Sequence, residues 1–180
     1  MIYDKPSKGE DGLYFVKALG DNKKRHYVQL NRVKNLSLSG DSNEISMNLV
    51  SEKNLQKIVD LDELNIKSAV ENATSWFGKE LSEDVVRAAY TTTLVSNEFT
   101  CEKIPQTRVF NSNQELVNFD NIKPTSVCTT IMEFAGLWFA KKAFGPVWNL
   151  VQVKIFDDPV IEDLYPEEYV IVDEEEEADQ

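Results

Sequence analysis

Hydrophobic and polar positions alternate with a period of about two in the first third of the chain, change to a period of about 3.6 in the middle, and return to two near residue 100. Leu13 to Leu19 and His26 to Val33 are short and rich in Tyr, Phe and Val, and Gly20-Asp21-Asn22-Lys23-Lys24-Arg25 lies between them, which predicts strand, turn and strand. Asn35 to Ser39 and Ile45 to Val50 flank a second turn at Gly40-Asp41-Ser42-Asn43. Ile66, Ala69, Val70, Ala73, Trp76 and Phe77 then recur at helical spacing, with Asp62 and Asn65 as candidate caps and Gly78 as the stop. Ser82-Glu83-Asp84 opens a second, shorter helix with Val85, Val86, Ala89 and Tyr90 on its inner side.

Strand signals return at Thr100 to Ile104, Arg108 to Phe110, Val127 to Phe134 and Val147 to Ile155, with Asn111-Ser112-Asn113 as a tight turn and Lys123-Pro124 as a breaker. In the last of these, Val147, Asn149, Val151, Val153 and Ile155 alternate with Trp148, Leu150, Gln152 and Lys154, so one face is mostly apolar. The sum is a mainly β fold: an antiparallel barrel over residues 12–156, interrupted by helices over about residues 55–93 that sit on one side. Residues 1–11 read as a flexible N-terminal arm.

Charge changes this picture at one end. From Asp157 to Gln180 there are 12 of the 31 acidic residues and no Lys or Arg, so the remaining 19 acids balance the 19 bases and the net charge of −12 belongs to the tail. A neutral body admits a basic groove, and an acidic run of this kind serves as an interaction tail. Within the tail, Leu164, Tyr165, Tyr169, Val170, Ile171 and Val172 form an apolar island suited to docking on the barrel or in a groove of another protein. The closing DEEEEADQ has nothing to bury and is expected to be disordered.

The chain length suits one domain. No apolar run approaches a membrane span and the N-terminal MIYDKPSKGEDG lacks a signal-peptide core, so an intracellular protein without membrane contact is expected. Cys101 and Cys128 lack metal or disulfide spacing and read as buried hydrophobes. His26, the only histidine, reads as an exposed loop residue. With no phosphate loop, no His cluster, and acids such as Glu83 and Asp84 explained by a helix N-terminus, the sequence predicts no metal, no cofactor and no catalysis.

The segment that carries chemistry is Leu137 to Trp148, LWFAKKAFGPVW. Trp138, Phe139, Phe144 and Trp148 surround Lys141 and Lys142, and Gly145-Pro146 predicts a bend. Aromatic faces stack on unpaired bases of any identity while neighbouring ammonium groups follow phosphates, so this mixture suits a single strand. Aromatics in strands are also core residues, and about half of these four rings are expected to be buried. Trp76 and Phe77 lie on a helical stripe and belong to the core. Lys23, Lys24 and Arg25 form a basic turn, and Lys79 and Arg87 extend the cationic surface over the helices.

VENATSWF (Val70 to Phe77), Leu81 to Tyr90, Ile122-Lys123-Pro124 and above all IMEFAGLWFAKKAFGPVWNLVQV (Ile131 to Val153) resemble the presumed single-stranded DNA-binding proteins of large nucleocytoplasmic DNA viruses. More distantly the chain is similar to the single-stranded DNA-binding proteins of short-tailed phages. The resemblance covers about His26 to Phe156, and only the G-L-W-F to F-G-P-V-W block is specific. It implies an OB-like barrel with inserted helices, no catalysis, and DNA held by Trp138, Phe139, Lys141, Lys142, Phe144 and Trp148. It also implies a role in viral replication, recombination or repair, at replication sites in the host cytoplasm or nucleus. Asp173, Glu174, Glu175, Glu176, Glu177 and Asp179 would then regulate binding and recruit replication proteins, and a homodimer stays open. Phage relatives end in an aromatic residue after the acids, whereas Gln180 stands here. The rival reading is a structural or assembly protein whose aromatic hairpin is a protein interface.

Overall fold

The computed structural model describes residues 1–156, 165 and 168–172. Its elements in chain order are β1 (Ile2–Tyr3), β2 (Ser7–Lys8), β3 (Tyr14–Leu19), β4 (His26–Leu38), β5 (Glu44–Asn48), α1 (Glu52–Glu71), α2 (Ala73–Phe77), α3 (Glu83–Ala89), β6 (Leu94–Val95), β7 (Glu98–Phe110), β8 (Leu116–Val117), β9 (Val127–Phe139) and β10 (Phe144–Phe156). Strands dominate; α-helices interrupt them once, and one 3-10 turn (Phe119–Asn121) lies between β8 and β9.

Four long strands and the short β5 close on themselves in the order β4, β5, β7, β10, β9 and back to β4. All neighbours are antiparallel except β7 and β10, which run parallel. This is an irregular, OB-like ring with a Greek-key path, and closure removes the free edges that an open sheet would present. β4 serves two neighbours because it bends: Arg32 and Asn35 have φ of 52° and 53°, and its register shifts between Leu30 and Val33 and again between Lys34 and Ser37. Bulges of this kind bend and twist a strand. Buried Asn54 of α1 secures the bend, donating to the Asn31 carbonyl at 2.6 Å and accepting from the Asn31 N–H at 3.3 Å.

Two expectations for the first segment change. β3 and β4 do not form a hairpin; both run antiparallel to β9 along the same edge, β3 beside Gly136 to Phe139 and β4 beside Cys128 to Phe134. Gly20 to Arg25 is therefore a loop bulging out between collinear strands, closed by the Gly20 N–H on the Lys24 carbonyl at 2.8 Å. Residues 1–11 are stitched down rather than loose: β1 and β2 both pair with β3, and Tyr3 Oη donates to Asn65 at 2.7 Å.

In the helical insertion, Ser51 is the N-cap, so Asp62 and Asn65 are not caps but buried residues of α1. They belong to a polar network in which Tyr90 and Thr92 donate to the Asp62 carboxylate and Asn65 donates to Tyr90 Oη at 3.1 Å. Burial raises the Asp62 pKa against the pull of those two hydroxyls. Gly78 ends α2 at φ 79°, a left-handed C-cap that favours glycine. Ser82 caps α3 by accepting from the Val85 N–H. Val86 is fully buried, while Val85 faces solvent rather than the core.

The core fills the ring and continues into an aromatic plug under the helices. Phe139 stacks on Phe144 at 5.5 Å, Phe77 meets both rings edge-on at 5.5 and 5.3 Å, and Trp76 reaches Phe139 at 5.8 Å. Such pairs add about 0.5–1.5 kcal/mol each beyond the area they bury. Trp148, 2% exposed, packs on Phe99 and Phe134 at the centre of the ring. His26 is half-buried at the start of β4, not in an exposed loop, and burial lowers its pKa.

Candidate nucleic-acid interface

Cross-strand partners share a face of a sheet, so the register separates an outer face from the core. On the outer face, Phe15, Trp138 and Gly145 form one row across β3, β9 and β10, and Lys17, Gly136 and Val147 form the next. Tyr27, Glu133, Asn149, Glu102 and Glu44 make a third row that spans all five strands of the ring.

A bulge puts Trp138 on this face. Val147 pairs with Gly136 but Trp148 pairs with Phe134, which leaves Ala135 as an extra residue on β9. The extra residue reverses the alternation: Phe134, Leu137 and Phe139 all point into the core, and Trp138 between the last two points out. β10 has its own shift between Leu150 and Gln152, with Trp148, Leu150 and Val153 all buried. The regular alternation expected along Val147 to Ile155 is therefore broken in its middle.

Glycines make room for the outward rings. A Cβ at Gly145 would stand 3.1 Å from the six-membered ring of Trp138, and one at Gly136 would stand 2.9 Å from Phe15 Cζ. Gly136 also has φ 146°, and a side chain there would collide with the Val16 carbonyl. The two rings thus lie over bare backbone and are partly exposed. Gly145-Pro146 does not bend the chain. The turn is at Ala140 to Ala143, closed by a 2.8 Å bond, and Pro146 lies within β10 before its pairing with β7 starts at Asn149.

The cations divide into free and engaged. Lys141 and Lys142 stand exposed at the hairpin tip, three and four residues beyond Trp138, and line one recess with Lys79 over an apolar floor that includes Phe77 and Val85. Lys17 is exposed one row inward from Trp138. Lys23 and Lys24 are exposed on the loop that leaves the ring between the Lys17 and Tyr27 rows. Arg25 is held by buried Glu133 at 2.7 Å, and Asn149 donates to the same carboxylate at 3.1 Å. Arg87 grips Glu63 through two bonds at 2.7 and 3.0 Å and Glu83 at 3.0 Å, so it faces α1 and its charge is already matched.

Of the four rings in the chemistry-bearing segment, Phe139, Phe144 and Trp148 are core residues with no face for a base. Only Trp138 is available, and it forms the ridge between two grooves, one toward β5 and β7 and one toward Leu13, Tyr14 and Phe15. No local pattern marks Phe15 or Lys17 as its neighbours, because their proximity depends on β3 pairing with β9 across more than a hundred positions. Cys101 and Cys128 are buried, and burial raises both thiol pKa values, that of Cys128 to about 11, so neither supplies a thiolate nucleophile. Asp173, Glu174, Glu175, Glu176, Glu177 and Asp179 lie outside the described residues. Tyr165 and Tyr169 to Val172 of the apolar island are exposed.

A closed five-stranded ring of this order, with an aromatic ridge on its outer face, places the chain among OB-like β-barrel proteins. Residues 31–173 match the model of a family described as a family of unknown function (DUF5871), and the chain belongs to that family. No curated protein matches it. Solved structures similar to it include the single-stranded DNA-binding protein from bacteriophage Enc34 in a C-terminal truncation, with a TM-score of 0.49 and 13% identity over 85% of this chain and 94% of that one. The same phage protein in complex with single-stranded DNA gives a TM-score of 0.48 and 13% identity over 86% and 95%. Its third structure gives 0.48 and 12% over 92% and 97%.

Proposed function

We propose that this protein binds single-stranded DNA without catalysis, in the replication, recombination or repair of a viral genome. The observation that carries the reading is Trp138: an indole turned out of the core by a bulge, laid over Gly145, beside Phe15, with free lysines at both ends of its strand segment. A flat ring with cations within a few residues along the same strands is what a stacked base and its flanking phosphates require. Lys141 and Lys142 on one side and Lys17 on the other set the direction of the strand along β9. The viral role rests on the resemblance of Ile131 to Val153 to proteins of large nucleocytoplasmic DNA viruses, and it implies action at replication sites in the infected cell.

Tryptophan fluorescence titrated with oligo-dT, matched RNA and duplex DNA tests the reading. Salt-dependent quenching by single strands, absent in Trp138→Ala, is expected. No quenching by any single strand, or a strong preference for duplex, overturns it.

In this reading the acidic tail competes with DNA for the lysines and, once displaced, is free to engage replication proteins. Removing residues 157–180 then tightens DNA binding, and an affinity equal to that of the full chain rules the competition out.

A further inference from the structure

Trp138 stands at one end of the outer face of β9 and β10, and the other end of that face carries a second set of rings and cations. Val109 and Val153 are buried, so Phe110 and Lys154, which follow them and pair in register across β7 and β10, point outward. Leu116 of β8, 64% exposed, pairs with Phe110, and Thr129 of β9 pairs with Lys154, which makes one row across four strands. Phe156 lies two residues beyond Lys154 on β10, and its ring holds two cations: the Lys154 ammonium at 5.5 Å and the Arg32 guanidinium at 5.8 Å from its centroid. The bend of β4 aims Arg32 there, at φ 52°, a left-handed conformation that arginine rarely adopts. Phe110, by contrast, is half-buried and meets no other ring and no cation among the described residues. Arg108 is exposed in the row next to it and donates to the Pro105 and Thr107 carbonyls. Arg32, Arg108 and Lys154 have no ion-pair partner among the described residues.

Resting on the single-strand reading above, we infer that this end is a second contact for the same strand: Phe110 stacks a base, Arg32, Arg108 and Lys154 take the phosphates beside it, and Phe156 holds two of those cations in place. A ring with a free face among unmatched cations is the combination that binds unpaired nucleotides at the Trp138 end too. The lane between the two ends admits a polyanion. Along it Glu133 is matched by Arg25, and Asn149, Ile131 and Gln152 carry no charge. Glu44 and Glu102 lie to one side of the lane, on β5 and β7, and keep phosphates off that side. From Trp138 to Thr129 the two ends stand about 26 Å apart, at about 3.3 Å per residue with Ala135 left out. A strand of about 4 nucleotides is therefore confined to one end and one of about 12 reaches both, inside the range of about 4–16 that one OB fold covers. Asp157 and Asp158 follow Phe156 in sequence, which makes the acidic tail the rival occupant of these cations.

Quenching of Trp138 by oligo-dT of about 4 and about 12 nucleotides, titrated into the full chain at low salt, tests the assignment. Phe110→Ala should weaken the longer strand by about fivefold or more and leave the shorter one within about twofold of wild type. In the Arg32→Gln, Lys154→Gln double variant, the slope of log affinity against log salt should fall for the longer strand by about 0.7 per phosphate released, with no change for the shorter. The double variant alters only surface charge, so it reads the site even if Phe110→Ala fails to fold. Wild-type affinity for the longer strand in either variant, with quenching intact, overturns the second contact and leaves single-strand binding standing. An equal change at both lengths, which release of the acidic tail from these cations would give, also overturns it. Absence of quenching by either length in the wild-type protein overturns both readings.

Discussion

Trp138 and Trp148 sit on adjacent strands of one hairpin, in the same run of twelve residues, and have opposite fates. Trp148 is 2% exposed between Phe99 and Phe134, whereas Trp138 rides over Gly145 on the outside of the ring. Residue type and neighbourhood in sequence are nearly the same. What separates them is one unpaired residue, Ala135, which shifts the pleat of β9 before Trp138 is reached. The lesson is that an exposed aromatic ridge and a buried core ring can be cut from the same apolar stretch, with a bulge deciding which ring goes where.

The sharpest way to break this comparison is to truncate each ring. Trp148→Ala should lower stability by about 3–5 kcal/mol in denaturant unfolding, as expected for a fully buried aromatic. Trp138→Ala should leave the unfolding midpoint nearly unchanged and weaken oligonucleotide binding by about 1–3 kcal/mol, the contribution of one stacked base. Equal stability losses in the two variants would mean that Trp138 is a core residue after all.

A smaller effect separates free cations from engaged ones. Lys141→Ala with Lys142→Ala should reduce the slope of log affinity against log salt by about 0.7 for each phosphate no longer neutralised. Arg87→Ala should leave that slope unchanged, because its guanidinium is committed to Glu63 and Glu83.

The smallest effect lies on the core side and is read by pH. The folded-state pKa of Asp62 is raised by burial above its ordinary value of 3.8, so the folded protein holds that proton more tightly than the unfolded chain. Its contribution to stability is full below the unfolded value, falls as pH rises through the raised folded value, and is flat beyond. Asp62→Asn should remove that decline in a series of melts from acid to neutral pH, without altering the salt dependence of DNA binding.

Much of the architecture was legible. Alternation marked the strands, the change of period marked the helices, and Ser82 and Gly78 marked helix ends through capping chemistry that acts within a few residues. What the sequence hid depends on distant pairing. The loop Gly20 to Arg25 has the composition of a hairpin turn, and only the presence of β9 alongside both β3 and β4 makes it a bulging connection. Asp62 and Asn65 look like caps because Asp and Asn favour helix starts, yet hydroxyls from Tyr90, Thr92 and Tyr3 satisfy them inside the fold. Phe139, Phe144 and Trp148 look like a binding cluster because no pattern of period two records a bulge. Lys79 was legible as a cation, but its place beside Lys141 and Lys142 comes from α2 packing its Phe77 against the hairpin.

The closed ring has a further consequence for how the molecule is made. β4 must find β9, roughly a hundred residues later, and pairings of such long sequence separation slow folding. During synthesis β4, β5 and β7 emerge well before the two strands that complete the circle, so for that interval three staves stand with open edges. Unpaired edges of this kind invite association with other chains. Production at high concentration should therefore be limited by capture of these early strands rather than by the stability of the finished barrel.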